Sequence, residues 1–266
     1  MLGVPYDATS TFRRGSAHAP DAIRWASESI ETYSPVLRAS LDGIALGDLG
    51  NVEFPDRSPA GMIAATRDAV RTAAPAVPIL LGGEHTITLG GIAALLTTHP
   101  DLAVIQLDAH TDLRDTYEGI ALSHATVMRR AADQIGGDRI VQLGVRAGTA
   151  DEFAFAAASV RHHSRGLGLP SATWTWLSQR PVYVTLDIDV LDPADAPGTG
   201  NPEPEGVSAR DLLAWVRRLG QLPVVGFDLV EVSPPYDPSG RTAVLAATIV
   251  REAILAITLA RTRKSD

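Results

Sequence analysis

Short apolar runs alternate with longer segments of helical period along the whole chain. The runs Ile44–Leu49, Val77–Leu81, Leu102–Leu107, Ile140–Leu143, Val182–Ile188 and Val224–Leu229 are brief and bounded by turn residues, the mark of buried strands. Between them the spacing predicts helices over Pro59–Ala73, Thr86–Thr98, His124–Ile135, Ala209–Leu219 and Ala243–Ala260. Ser58 and Ser208 stand where N-caps are needed, each able to accept a bond from an otherwise unpaired backbone amide, and Pro59 suits a first helical position. Strand–helix alternation of this kind predicts an α/β fold with a mostly parallel sheet covered by helices on both faces. The Pro- and Gly-rich stretch Asp192–Gly206 directly follows a strand end, so it reads as a site loop and not as a boundary. No repeat or low-complexity linker divides the chain, and a single domain over residues 1–266 is expected.

Composition narrows the function. The 266 residues carry 23 basic and 31 acidic side chains, a net charge of -8, which argues against a nucleic-acid surface and suits a small cationic substrate. There is no cysteine, which excludes a disulfide scaffold, a thiolate zinc site and a cysteine nucleophile. No stretch approaches the roughly 18 uninterrupted apolar residues of a membrane span. Residues 1–7 lack a basic region followed by an apolar run, so no signal peptide is expected and the cytoplasm is the default location.

The chemistry gathers at strand ends, where open parallel sheets bind ligands. Asp108-Ala109-His110-Thr111-Asp112 follows one apolar run, and Asp187-Ile188-Asp189 ends another. Alone, the first cluster reads equally well as a polar turn with a capping aspartate. Two such clusters change the balance, because buried carboxylates must be paired, protonated or metal-bound, and Arg114 is the lone basic residue close by. Asp192, before Pro193, reads as a turn former. Gly82-Gly83-Glu84-His85 leads from a strand into a helix; a phosphate loop would need a Lys-Ser/Thr ending, and His85 stands there instead. Four aspartates and two histidines suit a hard or borderline divalent ion such as Mn²⁺ better than Zn²⁺ or Mg²⁺, and two ions balance their charge. Paired ions lower the pKa of a shared water towards neutrality, a site for hydrolysis.

Two more residues are singled out. His124 opens a predicted helix after a polar loop and can shuttle protons, although a capping histidine is the plainer alternative. Glu231, just past a strand, can grip a planar cation such as guanidinium with two parallel hydrogen bonds; Asp228 points to the same strand end, and the sequence does not choose between them. His162 and His163 have no metal-like spacing and are placed on the surface, and Trp174 and Trp176 are assigned to packing.

These motifs, with Gly3-Val4-Pro5-Tyr6-Asp7 and Phe12-Arg13-Arg14-Gly15 before them and the Glu231 segment after, resemble the signature set of the ureohydrolases, the arginase and agmatinase family. The resemblance implies a three-layer α/β/α fold and a binuclear manganese centre, two Mn²⁺ per subunit, that hydrolyses a guanidinium group to urea and an amine. It implies His85, Asp108, Asp112 and Asp187 around one ion and Asp108, His110, Asp187 and Asp189 around the other. Glu231 would anchor the guanidinium, Asp189 would receive a proton from the attacking water, and His124 would relay it to the leaving amine. Ser123-His124-Ala125, Pro197-Gly198-Thr199-Gly200 and Val230-Glu231-Val232-Ser233-Pro234-Pro235 look more like agmatinases than arginases. Agmatine is therefore the first expected substrate, with aminopropylagmatine, guanidinobutyrate, arginine, or a formimino or amide group as alternatives. Arg114 could receive a carboxylate. Glu84, Ala125 and Glu205 depart from the commoner residues and are expected near the mouth of the site. A trimer or hexamer is what the likeness to agmatinases suggests.

Overall fold

The computed structural model describes residues 1–262; residues 263–266 of the expected span lie outside it. Among the described residues there are nine strands: β1 Leu2–Val4, β2 Tyr33–Ser34, β3 Ala39–Ser40, β4 Ile79–Gly82, β5 Ala103–Leu107, β6 Ile140–Leu143, β7 His162–Ser164, β8 Val182–Asp187 and β9 Val224–Val230. Seven form one sheet in the order β1-β4-β9-β8-β5-β6-β7 with every pairing parallel, while β2 and β3 make a separate antiparallel pair. The helices are α1 Ala19–Ser27, α2 Pro59–Thr72, α3 Thr88–Leu95, α4 Val127–Ile135, α5 Ala150–Ser159, α6 Ser171–Ser178, α7 Ala209–Val216 and α8 Arg241–Thr262.

Period-two alternation assigns the two faces of the sheet. Ile105, Leu107, Val184, Leu186, Phe227 and Leu229 pack with residues of α1, α7 and α8. On the other face Val104 and Tyr183 meet α3 and α4, and Leu80 and Val230 meet α2. The expected three layers are present. The helix α8 has the length and apolar composition to cross a membrane. Here Ala246, Ile249, Ala253 and Leu255 are buried, and the helix packs against α1 and α7 as a core element. Trp174 and Trp176 pack against the same core, with Arg218 over one ring and Arg161 and Arg180 over the other.

The structure departs from the sequence reading at particular elements. Ile44–Leu49 is not a strand: Leu46 and Leu49 are exposed, the Leu49 amide donates to the Met1 carbonyl just before β1, and Ile44 packs partly buried against the core. The edge belongs instead to β1, too short to stand out as a hydrophobic run. At the opposite edge β7 is polar, and its His162 and His163 lie at the surface side of the sheet, half-buried and exposed. Helices α1, α5 and α6 were not predicted, and the helix expected from Thr86 begins as a 3-10 turn at His85–Ile87. Ser58 and Ser208 cap α2 and α7 as expected, accepting from Gly61 and Asp211 amides at 3.1 Å each.

The cap of α5 reaches further. Thr149 Oγ1 accepts from the Glu152 amide at 3.3 Å, and Glu152 Oε2 accepts from the Thr149 amide at 2.8 Å. The other oxygen, Glu152 Oε1, accepts from Thr111 Oγ1 at 2.7 Å and Leu113 N at 3.1 Å, tying the cap to the loop after β5. Thr149→Ala should therefore destabilise the fold by about 1 kcal/mol, the usual loss for a cap. Urea denaturation measures it, and an unchanged midpoint would show that Glu152 holds this corner alone.

Candidate metal centre and substrate cavity

Asp108 and Asp187 stand at the C-terminal ends of β5 and β8, on the face that carries Gln106 and Thr185 two residues earlier. The next turns curl back. Asp187 Oδ1 accepts from the Asp189 amide at 2.8 Å, opening the 3-10 turn Ile188–Val190, and Asp189 Oδ1 accepts from the Ala109 amide at 3.1 Å. His85 arrives from the turn after β4. Its Nδ1 lies 3.0 Å from Asp108 Oδ2, 3.0 Å from Asp112 Oδ2 and 3.5 Å from Asp187 Oδ2. His110 Nδ1 lies 3.0 Å from Asp189 Oδ2 and 3.6 Å from Asp108 Oδ1.

All six predicted ligands are thus brought together. They form two groups of donor atoms close enough for one ion each: His85, Asp108 and Asp187, and Asp108, His110 and Asp189. Asp108 is shared. Asp187, expected to be shared as well, falls within the first group only, and Asp112 reaches the cluster through His85.

The electrostatics ask for cations. Burial, reinforced by the charges of Asp189 and Asp108, pushes the Asp187 carboxyl well above its usual range. Burial and the neighbouring Asp108 push Asp112 up to about 7. His85 Nδ1 is buried and makes no hydrogen bond although three carboxylates surround it. An orphaned buried nitrogen facing crowded carboxylates is what a divalent ion's ligand set looks like, and the residues present fit two such ions.

Beside this centre a cavity of about 250 Å³ opens, walled by His110, Asp112, Asp187, Asp189, His124 and Glu231 at its inner end. Asp228 is not part of that wall: it is buried below, accepting from Tyr183 and Thr88 hydroxyls at 2.6 and 2.9 Å. Glu231 adopts a left-handed backbone, φ 63°, and its Oε1 accepts from the His85 amide at 2.8 Å. Asp112 is left-handed as well, φ 52°, so strain is held at two positions of the site. Burial, together with the Glu84 charge, raises the Glu231 carboxyl well above its usual range. His124 sits in a 3-10 turn before α4, edge-on to the Tyr117 ring, with Nδ1 3.4 Å from Thr9 Oγ1. Burial, with the charges of His110 and His85, lowers its pKa to about 4, so it is neutral at physiological pH.

The outer wall includes Arg114, Tyr117, Ala125, Glu152, Asn201 and Glu203. Of the three departures noted in the sequence, only Ala125 lies there. Glu84 is buried deeper, its carboxylate accepting from the Thr9 hydroxyl and from Thr9 and Ser10 amides at 2.7 and 3.1 Å. Its longer side chain thus holds the N-terminal loop. Glu205 points into solvent and pairs with Arg165 at 2.6 Å, away from the cavity, and its φ of 62° is a backbone conformation that glycine adopts with less strain.

Sequence reasoning missed Arg146. Its guanidinium donates to the carbonyls of Gly144, Asp189, Val190 and Leu191, and to those of Glu203 and Pro204. One side chain therefore clamps the Asp192–Gly206 loop to the turn bearing Asp189. A planar fork can do this and an ammonium cannot. Also missed was a polar row in register across four strands, Gln142, Gln106, Thr185 and Asp228. Gln142 donates to Gln106, and Gln106 to Asp108 Oδ2, both at 2.6 Å. Each interrupts an otherwise apolar run, and that recurrence was the available signal.

Comparison with known proteins identifies the family and the fold. The Arginase family matches residues 1–256. The agmatinase of Bacillus subtilis is 41% identical over 262 residues, covering 96% of this chain and 90% of the relative. The human mitochondrial guanidino acid hydrolase is 34% identical, covering 97% and 77% respectively. The solved agmatine ureohydrolase of Thermoplasma volcanium superposes with a TM-score of 0.89 at 35% identity, covering 98% of this chain and 90% of that one.

Arg146→Lys should loosen the loop. Backbone amides of residues 197–206 are expected to exchange hydrogen about tenfold faster, since several bonds of about 1 kcal/mol each are lost. Unchanged exchange would show that the loop is held by other contacts.

Proposed function

The chain belongs to the arginase family, and on that premise we propose that it is a binuclear manganese ureohydrolase converting agmatine to putrescine and urea. The observation that carries this reading is the pair of donor groups sharing Asp108, set beside a cavity that ends on Glu231. His85, Asp108, Asp112, Asp187, Asp189 and His110 would hold the two ions, and carboxylates with imidazoles are a donor set suited to Mn²⁺. When bound, the ions supply Lewis acidity and make a water nucleophilic near neutral pH.

The remaining steps belong to the protein. Glu231, aimed by its left-handed backbone and steadied by the His85 amide, accepts hydrogen bonds from the planar guanidinium and presents its carbon to the centre. Asp189 lies within the cavity wall as an acceptor for the proton released on attack. Neutral His124 can then take up and pass a proton to the departing amine, with its ring oriented by Thr9 and Tyr117.

The outer wall favours a cationic tail. Glu152 is already met by three hydrogen bonds and by Arg114 Nε at 3.5 Å, and the Arg114 guanidinium lies over the Tyr117 ring. Glu203 is different: among the described residues it pairs with no arginine, only with His110 Nε2 at 3.8 Å. Its carboxylate is the free counter-charge for an ammonium at the far end of agmatine. A guanidino acid is the second reading, favoured by the partial exposure of Arg114 within the same wall.

Urea release from agmatine, aminopropylagmatine, guanidinobutyrate and arginine by the Mn²⁺-loaded protein tests both, and no urea from any of them would sink the ureohydrolase reading. Asp108→Ala should lose metal and activity together. Glu231→Gln should keep both ions while kcat/KM falls by about a hundredfold or more, because a charged bond to a buried cation is lost. Loss of metal as well would move Glu231 from substrate to centre. Glu203→Gln should lower kcat/KM for agmatine about fivefold, the worth of a half-exposed ion pair, and leave guanidinobutyrate unimpaired. A preference for guanidinobutyrate in the unmutated protein would instead assign the tail to Arg114.

A further inference from the structure

Below the metal-binding edge, buried hydroxyls connect His85 to a carboxylate that lines no part of the cavity. His85 Nε2 lies 2.8 Å from Thr185 Oγ1, and Thr185 Oγ1 lies 3.2 Å from Thr88 Oγ1. Thr88 donates to Asp228 Oδ2 at 2.9 Å, and Tyr183 donates to the same oxygen at 2.6 Å. None of the five side chains is reached by solvent to more than 1%. They come from the turn after β4, the first turn of α3, and the strands β8 and β9, so the fold assembles the chain from segments far apart in sequence.

Counting protons gives the chain a direction. Tyr183 and Thr88 each own one hydroxyl hydrogen, and both are used on Asp228. Thr88 then has only lone pairs left to offer Thr185. With Asp228 ionised, the single hydrogen of Thr185 is used on Thr88 at 3.2 Å, which leaves Thr185 a lone pair for His85. With the protons so placed, the hydrogen between His85 and Thr185 sits on His85 Nε2. In the neutral imidazole Nδ1 is then a bare acceptor, and it faces the oxygens of Asp108, Asp112 and Asp187 with no hydrogen-bond partner.

The geometry points to Asp228, acting through Thr88 and Thr185, as the positioning residue that locks His85 in the tautomer whose Nδ1 binds one of the two metal ions. This rests on the binuclear reading above and adds to it an asymmetry. His110 has no such support: its Nε2 faces Glu203 at 3.8 Å on the open side of the cavity. Weakening the hydroxyl chain should therefore affect the ion at His85 and spare the ion at His110.

The test counts Mn²⁺ per chain while loaded protein is equilibrated against chelator buffers of graded free Mn²⁺. The unmutated chain should hold two ions. Thr185→Val, which keeps shape and removes the acceptor, should release one ion at about 10- to 100-fold higher free Mn²⁺, the usual cost of losing such a partner, and hold the other unchanged. Thr185→Ser should restore the first, and Asp228→Asn should shift it in the same direction as Thr185→Val. Nitrogen-15 NMR of the histidine rings should show the His85 proton on Nε2 in the loaded protein. Melting curves on Thr185→Ser and Asp228→Asn keep the test open should Thr185→Val fail to fold. Two ions held with unaltered affinity in Thr185→Val, equal weakening of both, or a His85 proton on Nδ1 would each overturn the inference. An unmutated chain that holds no Mn²⁺ would overturn the binuclear reading itself.

Discussion

The site depends on one electrostatic constraint: Asp108, Asp112, Asp187 and Asp189 converge on two histidines in a space that water barely reaches. Uncompensated, carboxylates at such distances in a poorly polarisable interior cost several kcal/mol each. The parallel sheet makes the crowding possible. It brings the ends of β5 and β8 side by side in register, Leu107 opposite Leu186, so the residues that follow must share one small volume. Divalent cations would be the counter-charge that turns this crowding from a liability into a binding energy.

Geometry then has to be held while the charge changes, and different parts of the fold do this by different means. Backbone amides fix Asp108, Asp187 and Asp189, whose carboxylates each accept from a neighbouring turn. The row of polar side chains beneath fixes the orientation of Asp108 through Gln106 and of His85 through Thr185. Arg146 ties the outer loop to the same turn by six carbonyl contacts, which couples the wall carrying Glu203 to the turn carrying Asp189. Left-handed backbone at Asp112 and Glu231 completes the arrangement at the cost of local strain.

Much of this was legible in the sequence because the candidate metal-binding residues are strong local signals. Acidic and histidine residues at alternate positions just after apolar runs crowd charge at a sheet edge, which cations relieve, and the parallel α/β architecture follows from the same runs. What stayed hidden depends on parity or on distant partners. Asp228 and Glu231 are three residues apart on one strand end. Strand alternation sends Asp228 to the α3 face, whereas Glu231 shares the parity of Leu229 and reaches the cavity only because its φ of 63° re-aims it. That conformation has no signature in a glutamate. Gln106 and Gln142 read singly as minor interruptions of apolar runs, and their meaning appears only when β5 and β6 pair. β1 and β7, three residues each, occupy edges where neither length nor hydrophobicity announces a strand.

The two ends of the cavity differ in how tightly physics constrains them. At the inner end every polar group but the partly exposed His110 is buried, and a change there leaves a charge or a donor without its partner. At the outer end Glu203 and Arg114 are partly exposed, sit on loops and are screened by water, so exchanging one charge for another costs little stability. On the proposed function, the chemistry is constrained where burial is deep, and substrate choice is freer to vary where it is shallow. The Arg114–Glu152 pair shows the consequence within this chain: a cation inside the wall is neutralised by the residue that also caps α5, which leaves the net charge of the outer cavity to Glu203.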